Sequence, residues 1–508
     1  MPAIFFSGEN LMKNFADKII YGNFYTVDKN QPKAEVSAVK DGKFIYVGDA
    51  TGVKDFIGES TEVVRYDNGL ILPGFGDGHV HVSIGGTRDL FEVNLLGGKT
   101  LEEYLNMIKA HIEKHPNFDV ILGMGFNIIP EFEPNGPTAD MLEGLTEKYI
   151  IIADMGVHSY WVNHAVMKKL GIDKNTPDVS DGIIARDAQG NPTGWFREGA
   201  MNLVKSLTSY SVEQYKEGIL YYQEKYLAHG ETIFLDPILN WDTTDNAVEA
   251  YHQLDIEGKL LMHVYGAYQV LQAEGHDPIA EIEHAAKLRE KTKGRMFDLS
   301  NIKILFDGVI GGNPPTAFTK KPYADPVSQK NNYCGQLRFD LETLTAVYKR
   351  AHELGFSVHV HAIGDGALAF TLDAIEKALA QTGQHNLRDA ITHLQIVDKA
   401  DIPRMSKLGV VACTDPFWFV MEKDYFAVMV EILGEERAEN QLPMKSFFDA
   451  GVLVSSASDY PVENPAYPLI GIQKGVLRQN PGKPETLHAP AKRVTVEQMI
   501  EASTLNVA

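Results

Sequence analysis

From about residue 229 the chain alternates short apolar runs with amphipathic stretches, and no other feature limits its fold as tightly. The runs fall at 232–235, 260–265, 302–306, 356–361, 391–394, 410–413 and 452–455. Between them lie segments of helical spacing at 247–254, 279–291, 341–354, 367–380 and 444–450. Strands that alternate with helices run parallel in one sheet, because each return needs a crossover. With the run that ends at His81 counted first, there are eight such strands. Eight parallel strands predict an α/β fold closed into a (β/α)8, TIM-like barrel spanning 71–508, with functional side chains at the C-terminal strand ends.

The rest of the chain decorates that barrel. Residues 1–70 read as β, with a hairpin signal at Lys40-Asp41-Gly42-Lys43 and a further strand at 62–65 leading into 70–75. Region 83–228 is too long for one crossover and reads as a large insertion after strand 1. It carries helical patterns at 101–115 and 212–229 and apolar runs at 120–124 and 149–153. The stretch 308–336, rich in Gly, Pro and Asn, reads as a lid over the site.

Composition excludes several classes. The net charge of −21, from 47 Lys+Arg against 68 Asp+Glu, argues against a nucleic-acid or anionic-membrane partner. Cys334 and Cys413 are the only cysteines, so there is neither a disulfide framework nor a CxxC zinc site. No apolar run reaches the roughly 18 residues of a membrane helix, and Ile4-Phe5-Phe6 is too short for a signal-peptide core. The expectation is a soluble, cytoplasmic protein acting on a small molecule, with a homodimer as one possible assembly.

The chemistry gathers at strand ends. His79 and His81, two apart on the first strand, share a face. Lys303 lies inside strand 4, His361 and His393 end strands 5 and 6, and Asp459 follows strand 8. A single strand histidine is more often a hydrogen-bonded core residue than a ligand. Such residues on five of eight strands are hard to explain as independent coincidences. A lysine inside an apolar strand is costly unless paired or neutralised. One solution is carbamylation by CO2, which makes Lys303 an anionic ligand able to bridge two metals. Four His, a carbamylated Lys and an Asp would suit two borderline divalent ions such as zinc.

In order and strand position these residues resemble the metal-site pattern of the amidohydrolase superfamily. Within it the chain is similar to the amidohydrolase-3 group, which includes N-substituted formamide deformylase. The supporting signatures begin with Leu72-Pro73-Gly74-Phe75 before His79. In the insertion stand His158-Ser159-x-Trp161-Val162-Asn163 and Gly194-Trp195-Phe196-Arg197-Glu198. The barrel adds Lys303-Ile304-Leu305-Phe306-Asp307-Gly308, His361-Ala362-Ile363-Gly364-Asp365 and Ser458-Asp459-x-Pro461.

The resemblance implies metal-dependent hydrolysis of a non-peptide C–N bond, typically an amide. It implies one metal on His79, His81 and Asp459, a second on His361 and His393, and Lys303 as bridge. Asp459 would also take the proton from water and pass it to the leaving amine. Substrate contacts are expected from His158, Trp161, Asn163 and Glu198, and an apolar wall from Trp418. Asp307 and Asp365 are expected to orient ligands, and His263 to fill the barrel. Family members usually complete a small β-sandwich with strands beyond the point reached here, and more often have larger or hydroxyl residues in place of Gly76 and Gly78. Two other readings stay open: a mononuclear deaminase on the same barrel, which needs no bridging lysine, and a non-catalytic regulatory or binding protein that retains the scaffold.

Overall fold

The chain opens with β1 (Lys18–Tyr25), β2 (Lys33–Lys40), β3 (Lys43–Gly48) and β4 (Glu62–Ile71), in sheet order β3-β2-β1-β4. A computed structural model of the protein describes residues 15–508 except 157, 180–181, 274, 312–313, 325–328 and 384–386. The apolar stretch 4–6 therefore lies outside the described residues. Asp41 and Gly42 both take positive φ, 50° and 73°, as a two-residue hairpin turn between right-twisted strands requires. One face of this sheet covers Ile19, Val36, Ala38 and Val53. Among the described residues the N-terminal unit is this one sheet.

The barrel begins with β5 (Phe75–Asp77), followed by helix Val82–Phe91. The chain then builds a six-stranded sheet from β6 (Glu92–Asn94), β7 (Val120–Phe126), β8 (Tyr149–Asp154), β9 (Ser159–Val162), β10 (Gly182–Arg186) and β11 (Pro192–Glu198). Alternation puts Ile150 and Ile152 in one apolar cluster and Ile151 in another, so both faces of this sheet are covered. Helix Val212–Leu227 then returns to the barrel and packs on helix Val82–Phe91. The contact needs glycine, because a Cβ on Gly86 would stand 2.2 Å from the carbonyl oxygen of Gly218.

Seven more parallel strands follow: β12 (Glu231–Asp236), β13 (His263–Gln269), β14 (Phe297–Leu305), β15 (Ser357–Ala362), β16 (Ala390–His393), β17 (Val411–Thr414) and β18 (Val454–Ser456). Together with β5 they form the expected eight-stranded, nearly closed barrel. The Gly78 N–H donates to the Ser456 carbonyl at 2.9 Å across the seam between first and last strands. Little room is left beside glycines 76 and 78 there. A Cβ on Gly76 would meet Ile233 and Val507 at 2.8 Å, and one on Gly78 would meet Cys413 Sγ and Ser455 Oγ at 3.0 Å.

Two local expectations need correcting. The first strand stops at Asp77, so His79 and His81 lie in the loop beyond it rather than on one strand face. The Asp77 carboxylate accepts the His79 and Ser458 N–H groups at 3.0 and 3.1 Å, which turns the chain out of the sheet. Strand β13 runs past the apolar stretch 260–265 to Gln269, and His263 is exposed at its N-terminal end, away from the barrel mouth. Of the expected lid at 308–336, residues 312–313 and 325–328 lie outside the described residues. Among the described residues no helix is long and apolar enough to cross a membrane.

Candidate metal centre

Backbone hydrogen bonds between the loops after β5 and β18 assemble the centre. Asp459 N–H donates to the His79 carbonyl and His81 N–H to the Tyr460 carbonyl, each at 2.9 Å. Asp459 is held at φ 55°, a left-handed conformation that Asp tolerates better than most residues. As a result Asp459 Oδ1 lies 3.4 Å from both His79 Nε2 and His81 Nε2. These three side chains offer ligand atoms within 4.8 Å of one another.

The other predicted residues line the same space. The His393 ring centroid lies 5.0 Å from that of His79 and 4.6 Å from that of His361. His393 Nδ1 pairs with Asp415 Oδ2 at 2.9 Å, which leaves Nε2 as the atom it could offer a metal. His361 Nε2 lies 3.0 Å from the Gly308 carbonyl and 3.6 Å from Asp307 Oδ1. Trp418 stacks flat on His393, 5.0 Å away and 4° from parallel, so it walls the centre rather than a separate apolar pocket.

Lys303 is wholly buried, and its Nζ has no hydrogen-bond partner among the described residues. Burial brings its amine down to about 7, against an opposing pull from Asp459. Burial, then Lys303 and the neighbouring rings, also holds His79 well below the ordinary imidazole range. His361 is lowered by burial, His393 and Lys303. Neutral imidazoles are the form that binds metal, so the donor set fits a divalent ion. Lys303 Nζ and His81 Nδ1, without partners among the described residues, mark unused polar capacity.

Besides Asp415, one further residue of this centre was not singled out in the sequence. His359 precedes His361 by two on β15, and the ladder pairs it with Lys303. Its Nε2 lies 2.7 Å from His79 Nδ1. With His79 in the tautomer that donates from Nδ1 to His359, its Nε2 lone pair faces Asp459. The period-2 spacing of His359 and His361 was the available signal. His359→Ala is expected to weaken metal affinity about 10- to 100-fold, the usual cost of losing a partner behind a ligating histidine. Competition against a chelator reads this directly, and wild-type affinity in the variant would remove His359 from the role.

The remaining candidates separate. Asp307 accepts the Phe318, Ile363 and Gly364 N–H groups and so anchors the start of the 308–336 stretch beside His361. Burial raises its carboxyl to about 6, against those bonds. Asp365 accepts the Lys320 N–H at 2.9 Å and ties the same stretch to helix Asp365–Thr382. Trp161 is fully buried in the insertion, with its indole N–H on the Thr138 carbonyl at 2.8 Å. Asn163 caps helix His164–Leu170 and bridges Lys148 and Ile150. The structure brings neither Trp161 nor Asn163 to the centre. Asn163→Ala is expected to lower stability by about 1–2 kcal/mol, measured by denaturant unfolding, while metal content stays constant.

His158 and Glu198 pair at 3.3 Å and are more than half exposed. Glu198, but not His158, reaches a cavity of about 310 Å3 between the insertion sheet and the barrel mouth. Ile84 and Arg88 line it from the helix that follows His81, and Gln269, the ladder partner of Lys303, lines it from β13.

Known proteins agree with this architecture. Residues 62–508 match the model of the amidohydrolase family. The chain is 31% identical over 452 residues to the exoenzymes regulatory protein AepA of Pectobacterium carotovorum, covering 86% of this chain and 93% of that one. It is 26% identical over 460 residues to the N-substituted formamide deformylase of Arthrobacter pascens, covering 87% and 80%. An uncharacterized metal-dependent hydrolase from Pyrococcus horikoshii shares the fold, with TM-score 0.77 and 24% identity over 97% of this chain and 92% of that one. On the extent of that family match, with the barrel and its ordered polar residues, the chain belongs to the amidohydrolase family.

Proposed function

We propose that the protein hydrolyses a non-peptide C–N bond, an amide or N-formyl/N-acyl amine, with two divalent metals, most simply zinc. The observation that carries this reading is the buried, partnerless Lys303 amine among neutral imidazoles and the Asp459 carboxylate. His79, His81 and Asp459 would hold one ion, His361 and His393 the other, and Lys303 both. An amine brought down to about 7 is neutral for a large fraction of the time at neutral pH. It attacks the carbon of CO2, releases its proton to water and becomes a carbamate anion.

When bound, such a metal pair brings a water's pKa toward neutrality and polarises a carbonyl. Asp459 accepts the proton of the attacking water on a carboxylate oxygen and returns it to the leaving nitrogen as the C–N bond breaks. His359 holds the His79 ring, and Trp418 shields the His393 side from water. The Arthrobacter relative, which is named for deformylating N-substituted formamides, supports the choice of bond.

Elemental mass spectrometry on protein purified without chelator, with bicarbonate present, is expected to find about two metals per chain. A panel of N-formyl and N-acyl amines should then reveal turnover that a chelator abolishes and zinc restores. One metal indifferent to Lys303 would favour a mononuclear deaminase. Absence of both metal and turnover would favour a regulatory role, as the name of the Pectobacterium relative suggests.

A further inference from the structure

The 310 Å3 cavity beside the centre is chemically uneven. Its two innermost carboxylates are already committed. Glu92 accepts from the Tyr210 hydroxyl. Asp242 accepts from Tyr215 OH at 2.9 Å, Tyr210 N–H at 3.1 Å and both polar groups of Thr244. The cations are not committed in the same way. Arg88 forms an ion pair with Glu92, Nε to Oε1 at 3.7 Å, but its guanidinium makes no hydrogen bond among the described residues. Lys205 makes neither a hydrogen bond nor an ion pair through its amine among the described residues, although it lines the cavity. Glu198, at the rim, is engaged by His158. The charged groups of the cavity with hydrogen-bonding capacity to spare are therefore this guanidinium and this ammonium, beside the neutral side-chain amides of Asn202 and Gln269.

A carboxylate matches that capacity. A guanidinium fork meets both oxygens of a carboxylate, and an ammonium adds a point charge. Tyr160 and Trp241 give the cavity aromatic walls, and its volume suits a short chain. The location is suitable too, since Arg88 lies two helical turns beyond His81 on the helix that leaves the centre.

We propose that the substrate is an amide that carries a carboxylate, held by Arg88 and Lys205 in this cavity while the scissile bond lies at the metal centre. The choice of bond rests on the function proposed above, whereas the carboxylate rests on the cavity alone.

Two measurements separate these claims. The first compares kcat/KM for N-formyl-4-aminobutanoate with that for its methyl ester, in wild type, Lys205→Met, Lys205→Arg and Arg88→Met. The second is calorimetric titration of the metal-loaded protein with glutarate. The acid is expected to be preferred by about 10- to 100-fold, the range of a charge-assisted hydrogen bond. That ratio should collapse in Lys205→Met and Arg88→Met and persist in Lys205→Arg, and glutarate binding should follow it. Turnover with no acid preference and no glutarate binding would overturn the carboxylate proposal and leave the amide reading standing. Glutarate binding lost in Lys205→Met, with no amide cleaved, would uphold the pocket and overturn the choice of bond.

Discussion

Lys303→Ala is expected to reduce bound metal from about two ions per chain to one or fewer and amide turnover at least ~10^3-fold. The argument starts from cost. An unpaired ammonium in a dry interior is unfavourable by several kcal/mol, and Lys303 Nζ has no partner among the described residues. A protein retaining such a group uses it or loses stability to it. If Lys303 serves metal binding, its removal harms the centre without harming the fold. In metal-free protein the neutral, volume-matched Lys303→Met variant should unfold at the wild-type temperature or above, because an uncompensated polar group has been removed. Elemental mass spectrometry and thermal unfolding on both variants check the two halves. A variant that kept both metals and full activity would show that Lys303 bridges nothing.

The second large effect is expected at Asp459. Asp459→Asn preserves size and tolerates the left-handed backbone at φ 55°. The loop bonds from Asp459 N–H to His79 and from Val462 N–H back to the Asp459 carbonyl use only backbone atoms, so they survive the change. The substitution removes the anion facing His79 and His81 and the acceptor for the water's proton. Turnover is expected to fall about 10^2- to 10^4-fold, the range for losing a positioned acid–base group. Metal at the three-residue cluster should weaken more than metal at His361 and His393. Steady-state kinetics with metal-saturated variant would contradict the proton-transfer role if kcat stayed within about threefold of wild type.

The division between sequence and structure is visible residue by residue. Asn163 and Trp161 stand in a family signature, and their types suit substrate binding. Yet the Asn163 amide is spent capping a helix and the Trp161 indole is sealed in the insertion core. Arg88 and Lys205 show the converse. Arg88 sits on a helix and Lys205 in a short 3-10 turn, and nothing in their local patterns sets them apart from surface charges. Only the packing of the insertion against the barrel turns both into one cavity.

The sequence by itself determined the eight-strand order, the parallel sense of the sheet and the residue types that reach the barrel mouth. Those properties follow from short-range periodicity, because the alternation of apolar runs and helical spacing is written within each segment. The tertiary structure decided how the mouth is built. It ended the first strand at Asp77, carried His79 and His81 into a loop, and joined that loop to Ser458, 381 residues from Asp77. It also set His359 behind His79. Such arrangements depend on backbone hydrogen bonds and close packing between segments distant in the chain, which no local pattern contains.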